Sequence, residues 1–302
     1  MRKLLQFAFF FPLFSVWASA QTNDALRYFP KGTRLYSNIA YANDTLERHQ
    51  LDIYLPADAR RMHPIIFWIH SGGWRAGGKQ ADMHYLPHTV HALIKSGYAI
   101  VALNYRYSTM AIFPAQIKDC NQALEFVCEN AAKYELDPER IALIGFSAGG
   151  HLAALMGLSA NSSEADFYVD GKKPGFKVRA VIDYYGLSDF YLKPPAEFEK
   201  TTNGPGLLFG AAMRDKPSLV TQATPLTYID SNDPPFLIIH GNKDEEMDVR
   251  QSIRLNDTLK SHGVATQLII IDGAPHGGEM FDTKRIRRAV VAFLDRYLQY
   301  RP

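Results

Sequence analysis

The strongest constraint in this sequence is a repeated alternation of short, mostly apolar runs with longer stretches of helical spacing. The runs are Pro64-Ile-Ile-Phe-Trp-Ile69, Ala99-Ile-Val-Ala-Leu-Asn104, Arg140-Ile-Ala-Leu-Ile144, Val178 to Tyr184, Phe236 to Ile239 and Thr266 to Ile271. The first two are continuous and too short for a helix, so they read as central parallel strands covered on both faces, and the others follow as further strands. Helical spacing marks Met83 to Ser96, Ala115 to Tyr134, His151 to Leu158, Val249 to His262 and Thr283 to Tyr300. Parallel strands need crossovers of about that length, so the pattern predicts an α/β fold with a mostly parallel central sheet and helices on both faces. Ahead of it, Thr33 to Tyr41, a polar Ala-Asn-Asp turn and Arg48 to Leu55 predict an N-terminal antiparallel hairpin at the sheet edge.

With 302 residues, 47% of them hydrophobic and 21% charged, the chain can bury one large core, and disorder is not its default state. Met1-Arg-Lys3, an apolar stretch from Leu4 to Trp17 and Ala18-Ser19-Ala20 have the charged, greasy and small-residue parts of a secretory signal. The expectation is a signal peptide over residues 1–20, a single domain over 21–302, and export to the periplasm or the medium. The apolar stretch falls short of the roughly 20 residues that span a bilayer, so no stable membrane anchor is expected. Formal net charge is only +2, from 33 basic and 31 acidic side chains, and no basic run points to nucleic acid. Cys120 and Cys128 fall about 12 Å apart along one helix, too far for a disulfide between them. One segment, Tyr191 to Tyr228, is rich in Pro and Gly and longer than an ordinary connection; a lid over the site and an irregular surface excursion are both open readings.

The chemistry concentrates at loops that follow strands. Gly145-Phe-Ser-Ala-Gly149 fits G-x-S-x-G, and it follows an apolar strand and precedes a helix, the context that exposes a serine oxygen above a sheet. A serine hydroxyl needs a neighbouring base, and histidine has the suitable pKa. His276, in Gly273-Ala-Pro-His-Gly-Gly278 just beyond the last strand, is the candidate, against His262 near a helix end and His151 in the helix after the serine. An acid must fix the histidine's tautomer. Asp244 follows the run beginning Phe236, with Glu245, Glu246 and Asp248 as near rivals and Asp183 as a more distant one. Nucleophile, acid and histidine then occur in the order Ser147, Asp244, His276. For a tetrahedral oxyanion, His70-Ser-Gly-Gly-Trp74 offers the backbone N–H groups of Gly72 and Gly73, joined by that of Ala148.

These segments together resemble the α/β-hydrolase esterases of bacteria, especially the group of feruloyl and acetyl xylan esterases, with hormone-sensitive-lipase-like carboxylesterases as more distant relatives. The likeness runs from about Leu51 to Leu298 and includes Leu51-Asp-Ile-Tyr-Leu-Pro56, Asn104-Tyr-Arg-Tyr107, Phe113-Pro-Ala-Gln116 and Asp137-Pro-Glu-Arg140. It implies an α/β-hydrolase fold, a triad at the positions of Ser147, Asp244 and His276, and oxyanion donors at those of Gly72, Gly73 and Ala148. The chain departs from the family pattern twice. Ser71 stands for the first glycine of H-G-G-G, which brings in the Trp74 N–H as a further donor, and Glu-Glu-Met-Asp follows Asp244 in place of an apolar and proline stretch.

The expected activity is hydrolysis of carboxylic esters through an acyl-enzyme, with no metal or organic cofactor implied. The likeness directs the expectation to small-molecule or polysaccharide-linked acetyl- or feruloyl-type esters. Trp74, Tyr185 and Tyr191 are candidate substrate-binding residues, with Tyr184 and Phe190 weighed as pocket or ordinary core. An amidase or peptidase of the same fold, and a silent recognition module, are the alternatives; oligomeric state is not legible.

Overall fold

The central runs at 64–69 and 99–103 are unbroken because both sheet faces are covered there. In the computed structural model, which describes residues 24–58, 62–192 and 204–298, eight strands form one sheet: β1 Arg34–Ala40, β2 Gln50–Leu55, β3 His63–Ile69, β4 Ala99–Leu103, β5 Leu136–Phe146, β6 Val178–Tyr184, β7 Phe236–Gly241 and β8 Thr266–Ile271. Their spatial order is β1-β2-β4-β3-β5-β6-β7-β8. The expected hairpin is the antiparallel pair β1 and β2, β2 lies antiparallel on β4, and the remaining strands are parallel. The expected signal segment lies outside the described residues.

Side chains alternate between two cores, as the strand period of two requires. Ile65, Phe67 and Ile69 of β3 face the core shared with α2 (Ala115–Glu129), α3 (Ala148–Ser159) and α6 (Arg250–Ser261), through Ile117, Leu124, Leu152, Leu155, Leu255 and Leu259. Ile66 and Trp68 face the other core, filled by Val90 and Leu93 of α1 (Pro87–Lys95) and by Ile286, Val290 and Leu294 of α7 (Lys284–Leu298). At about 25 cal/mol per Å² of apolar surface, burial on both faces makes this sheet the main source of stability.

One helix boundary differs from expectation for a local reason. The helix expected from Met83 begins at Pro87, where a residue lacking an N–H is welcome, and a separate 3₁₀ turn spans Ala81–His84. The N-terminus of α1 is capped from far along the chain: Asp282 accepts the N–H groups of His88 and Thr89 and the Thr89 hydroxyl. In the 191–228 excursion, residues 193–203 lie outside the described residues. The rest holds α4 (Gly204–Phe209), α5 (Pro217–Ala223) and 3₁₀ turns, with Leu208, Phe209, Val220 and Ala223 buried in the core.

Candidate active site

Winding reverses between β3 and β5: the chain leaves β3 toward α1 on one face and β5 toward α3 on the other. In open α/β sheets the crevice at such a reversal is where ligands bind. Ile69 pairs with Gly145, Phe146 with Tyr184, Tyr184 with Ile239, and Gly241 with Ile271. One sheet edge therefore carries His70, Ser147, Tyr185 and the loops after β7 and β8 side by side.

Ser147 occupies the step from β5 to α3 with φ 51° and ψ −115°, a conformation L-residues rarely adopt. Its N–H donates to the Tyr184 carbonyl and its carbonyl accepts from His151, so the turn is held from both sides. The turn needs bare backbone: a Cβ on Gly145 would run into the Gly149 carbonyl, and one on Gly149 into the Ile69 carbonyl of β3. Strain at the serine is thus imposed by backbone packing and aims the hydroxyl at the loop beyond β8.

The imidazole waiting there is His276. Its Nε2 accepts the Ser147 hydroxyl at 2.9 Å, and its Nδ1–H donates to Asp244 Oδ2 at 2.6 Å. The Tyr185 ring backs the imidazole edge-on, with centroids 4.7 Å apart. The competing histidines are engaged elsewhere. His262 caps the exposed C-terminal end of α6 and donates to the Thr258 carbonyl. His151 is fully buried, accepts the Trp74 indole N–H at Nδ1 and donates from Nε2 to the Ala223 carbonyl. Burial depresses its pKa to about 4, which keeps it neutral.

Among the acids, Asp244 alone meets His276. Asp248 pairs with Arg250, Glu245 and Glu246 are exposed, and Asp183 turns to the Gly186 N–H. Burial pushes the Asp244 carboxyl up, yet hydrogen bonds from His240, His276 and the Met247 N–H, with the His276 charge, hold it well below the ordinary carboxylate range. Its Oδ1 accepts the N–H groups of Glu246 and Met247, at 2.9 and 2.7 Å. The Glu-Glu-Met segment, which departs from the family pattern, thereby wraps the acid with backbone donors.

The segment after β3 forms the opposite wall. Gly72, Gly73 and Trp74 all have positive φ, and among the described residues the N–H groups of Gly72, Gly73 and Ala148 donate to no other backbone group. Ser71 explains its presence by what it binds: its N–H and hydroxyl both donate to the buried carboxylate of Asp82, at 2.8 and 2.6 Å. Burial raises the Asp82 pKa against these two bonds. Behind the segment His70 is fully buried, stacks on Tyr105 with centroids 4.2 Å apart and accepts from Arg48. Burial drives its pKa to about 3.

A cavity of about 720 Å³ opens between these walls, lined by Ser71, Gly72, Gly73, Asp82, Tyr85, Ser147, Tyr185 and His276, with Arg75 and Glu246 at exposed positions. Tyr185 thus stands at the cavity, whereas two other aromatic candidates do not line it. Trp74 is buried, its indole committed to His151 and its ring near Phe190, because the turn at Gly73 sends it inward. Tyr191 is 55% exposed and bonded to Pro217 and Thr221, and no described residue of the 204–228 stretch lines the cavity. Tyr184 and Phe190 are core residues. A larger groove of about 1100 Å³ lies across the Gly77–His84 segment, but it holds neither the serine nor His276, and Arg48 and Lys79 on its walls are tied to protein partners. Among the described residues no cluster of three or more His, Cys, Asp or Glu is arranged to hold a metal ion, and no helix is long and apolar enough to cross a membrane.

Sequence reasoning passed over two polar residues at this edge, Asp82 and His240. His240 is an imidazole inside an otherwise apolar, fully covered strand, and buried polar groups of that kind have partners. That rule was the available signal.

A serine bonded to a histidine, itself bonded to a carboxylate, beside a cavity also lined by Gly72 and Gly73, can carry out acyl transfer. Together with the eight-stranded sheet it defines an α/β-hydrolase. Residues 51–259 match the BD-FAE family, and the chain belongs to it. Esterase LipQ of Mycobacterium tuberculosis is 32% identical over 256 residues, covering 81% of this chain and 58% of its own length. This chain spans between half and two thirds of the length of several curated relatives that it matches. A truncated carbohydrate esterase from gut microbiota superposes with TM-score 0.78 at 30% identity, covering 89% of this chain and 98% of the other. A bifunctional GH43-CE protein of Bacteroides eggerthii gives 0.77 at 32%, with 87% and 35% covered.

Proposed function

We propose that this chain is a serine carboxylic-ester hydrolase in which Ser147 is the nucleophile, His276 the general base and Asp244 the residue that orients the histidine. The observation that carries the reading is the unbroken chain of hydrogen bonds from Asp244 through His276 to Ser147 at the floor of a cavity. Ser147 Oγ attacks the ester carbonyl carbon while its proton passes to His276 Nε2, and the carbonyl π pair moves onto oxygen. The N–H groups of Gly72, Gly73 and Ala148 receive that oxyanion, each worth roughly 3 kcal/mol by analogy with other such donors. Collapse expels the alcohol, which takes the proton from His276. Water, deprotonated by the same nitrogen, then attacks the acyl-enzyme and releases the acid and Ser147.

Acetyl- and feruloyl-type esters are the proposed substrates, including those borne on polysaccharides. Support comes from the membership in the BD-FAE family and from the likeness to the carbohydrate esterase. Tyr85 and Tyr185 are the aromatic side chains that line the cavity, within reach of an aromatic acyl group or a sugar bound there. The test is hydrolysis of p-nitrophenyl acetate, butyrate and octanoate, methyl ferulate and acetylated xylan by the parent and by Ser147→Ala. Activity on the short or aromatic esters, falling at least about 10³-fold in the variant, supports the reading. A folded parent inert toward every ester would sink it. Export is proposed from the Met1–Ala20 pattern alone, and N-terminal sequencing of product recovered outside the cytoplasm, expected to begin at Gln21, tests it.

A further inference from the structure

We propose that His240 is a positioning residue of this site, holding the Asp244 carboxylate toward His276, so that the working unit is a four-membered chain of His240, Asp244, His276 and Ser147. The inference rests on the triad reading above and deepens it. It starts from a buried imidazole in β7 that the three-residue mechanism leaves without a task. His240 has no exposed surface, and its Nε2 lies 3.1 Å from Asp244 Oδ2 and 2.9 Å from the Met247 carbonyl. Both partners can only accept, so Nε2 carries the proton. Nδ1 is left to accept, and the fully buried Ser252 hydroxyl of α6 donates to it at 2.6 Å. Serine on one side and two acceptors on the other thereby fix the ring with its Nε2–H toward Asp244.

The consequence for Asp244 follows from counting its bonds. Oδ1 takes two backbone N–H groups, and Oδ2 takes one imidazole N–H from His276 and another from His240. A carboxylate swung out of this position gives up all four, so its orientation is set before substrate arrives. His240 also shares the oxygen that His276 uses and draws negative charge away from it. Without His240, that charge falls on His276 alone, favours the imidazolium and carries the acid limb of reactivity to higher pH. The other groups facing His240 are Asp183 of β6, the Tyr185 ring at 6.4 Å, Ser252 of α6 and, through Asp244, His276. Asp183 is the one that titrates nearby.

The test uses the rate at which a fluorophosphonate labels Ser147 in the full chain from pH 5 to 9, a readout independent of which ester is the substrate. His240→Leu fills the space without the donor, and His240→Gln keeps an N–H near the Nε2 position. The Leu variant is expected to label about ten-fold more slowly, the loss typical of one charge-assisted hydrogen bond, with its acid limb displaced upward. On p-nitrophenyl acetate it should lower kcat and leave KM unchanged. The Gln variant should recover to within about three-fold of the parent, and Ser252→Ala should fall between them. Repeating the Leu measurement in an Asp183→Asn background should preserve the displacement. Parental rates and limb in His240→Leu, or equal slowing in the Leu and Gln variants with an unmoved limb, overturn the proposal. A parent that labels but hydrolyses no ester overturns the esterase reading alone, and one inert to the reagent overturns both.

Discussion

Two carboxylates end neighbouring parallel strands of the same sheet, Asp183 in β6 and Asp244 just after β7, and they live in opposite electrostatic states. Asp244 has four N–H donors and is held well below the usual carboxylate range despite burial. Asp183, whose side chain is likewise out of solvent, accepts the Gly186 N–H and is driven by burial to about 6. Burial alone therefore does not decide whether an aspartate can balance a histidine's charge. The number of donors wrapped around it does, and the loop after β7 supplies them where the end of β6 does not.

The comparison breaks most sharply at the acid itself. Asp244→Asn should lower kcat/KM on the best ester by about 10⁴-fold, because an amide no longer enforces the reactive tautomer of His276. Asp183→Asn should stay within about ten-fold at pH 8. Steady-state kinetics of the two variants side by side would decide, and the reverse order would move the acid to β6.

How much of this was legible depended on the kind of constraint. Buried strands leave mostly apolar text, and β6 and even the half-buried edge strand β8 begin and end where the text does. The nucleophile turn is legible because it is built on backbone contact, for which only glycine serves. Gly149→Ala should accordingly cost about 3 kcal/mol or more, since its Cβ must displace the Ile69 carbonyl of β3. Urea unfolding would show it, and parental stability would mean that the turn can relax. The acid loop is less legible: Asp244, Glu245, Glu246 and Asp248 look alike in text, and the donors that single out Asp244 are main-chain N–H groups carrying no residue signature. The placement of Trp74 and Tyr191 was illegible for a related reason, since an aromatic residue near a functional segment does not reveal the side to which the turn sends it.

The electrostatic half of the comparison has a pH signature whose sign can be worked out. The folded pKa of Asp183, about 6, lies above the unfolded value near 3.8, so the native state holds the proton more tightly. Stability is then greatest below pH 4 as far as this group is concerned, declines as pH climbs from about 4 to 6, and stays lost above. The full difference is about 3 kcal/mol. Asp244 acts in the opposite sense and in a separate window: its contribution is present above the unfolded pKa and is lost only as pH falls below about 4. Melting temperatures of Asp183→Asn against the parent, taken from pH 4 to 8, should show the parent losing ground between pH 4 and 6 while the variant does not. Parallel curves would mean that Asp183 is solvated in solution and that the contrast with Asp244 is one of placement alone.

The smallest effect concerns the departure in the oxyanion segment. Ser71 gives Asp82 two of its bonds, one from the hydroxyl and one from the backbone, and a glycine would keep the second. Ser71→Gly should therefore remove roughly 1 kcal/mol and lower Tm by only a few degrees. The Gly72 and Gly73 N–H groups stay where the Ser71 backbone bond holds them, so kcat/KM should remain within about three-fold. A much larger loss in kcat with Tm preserved would show that the hydroxyl sets the direction of those N–H groups. The segment would then resemble the loop after β7, with donors aimed by a side-chain network, rather than the glycine-built turn at Ser147.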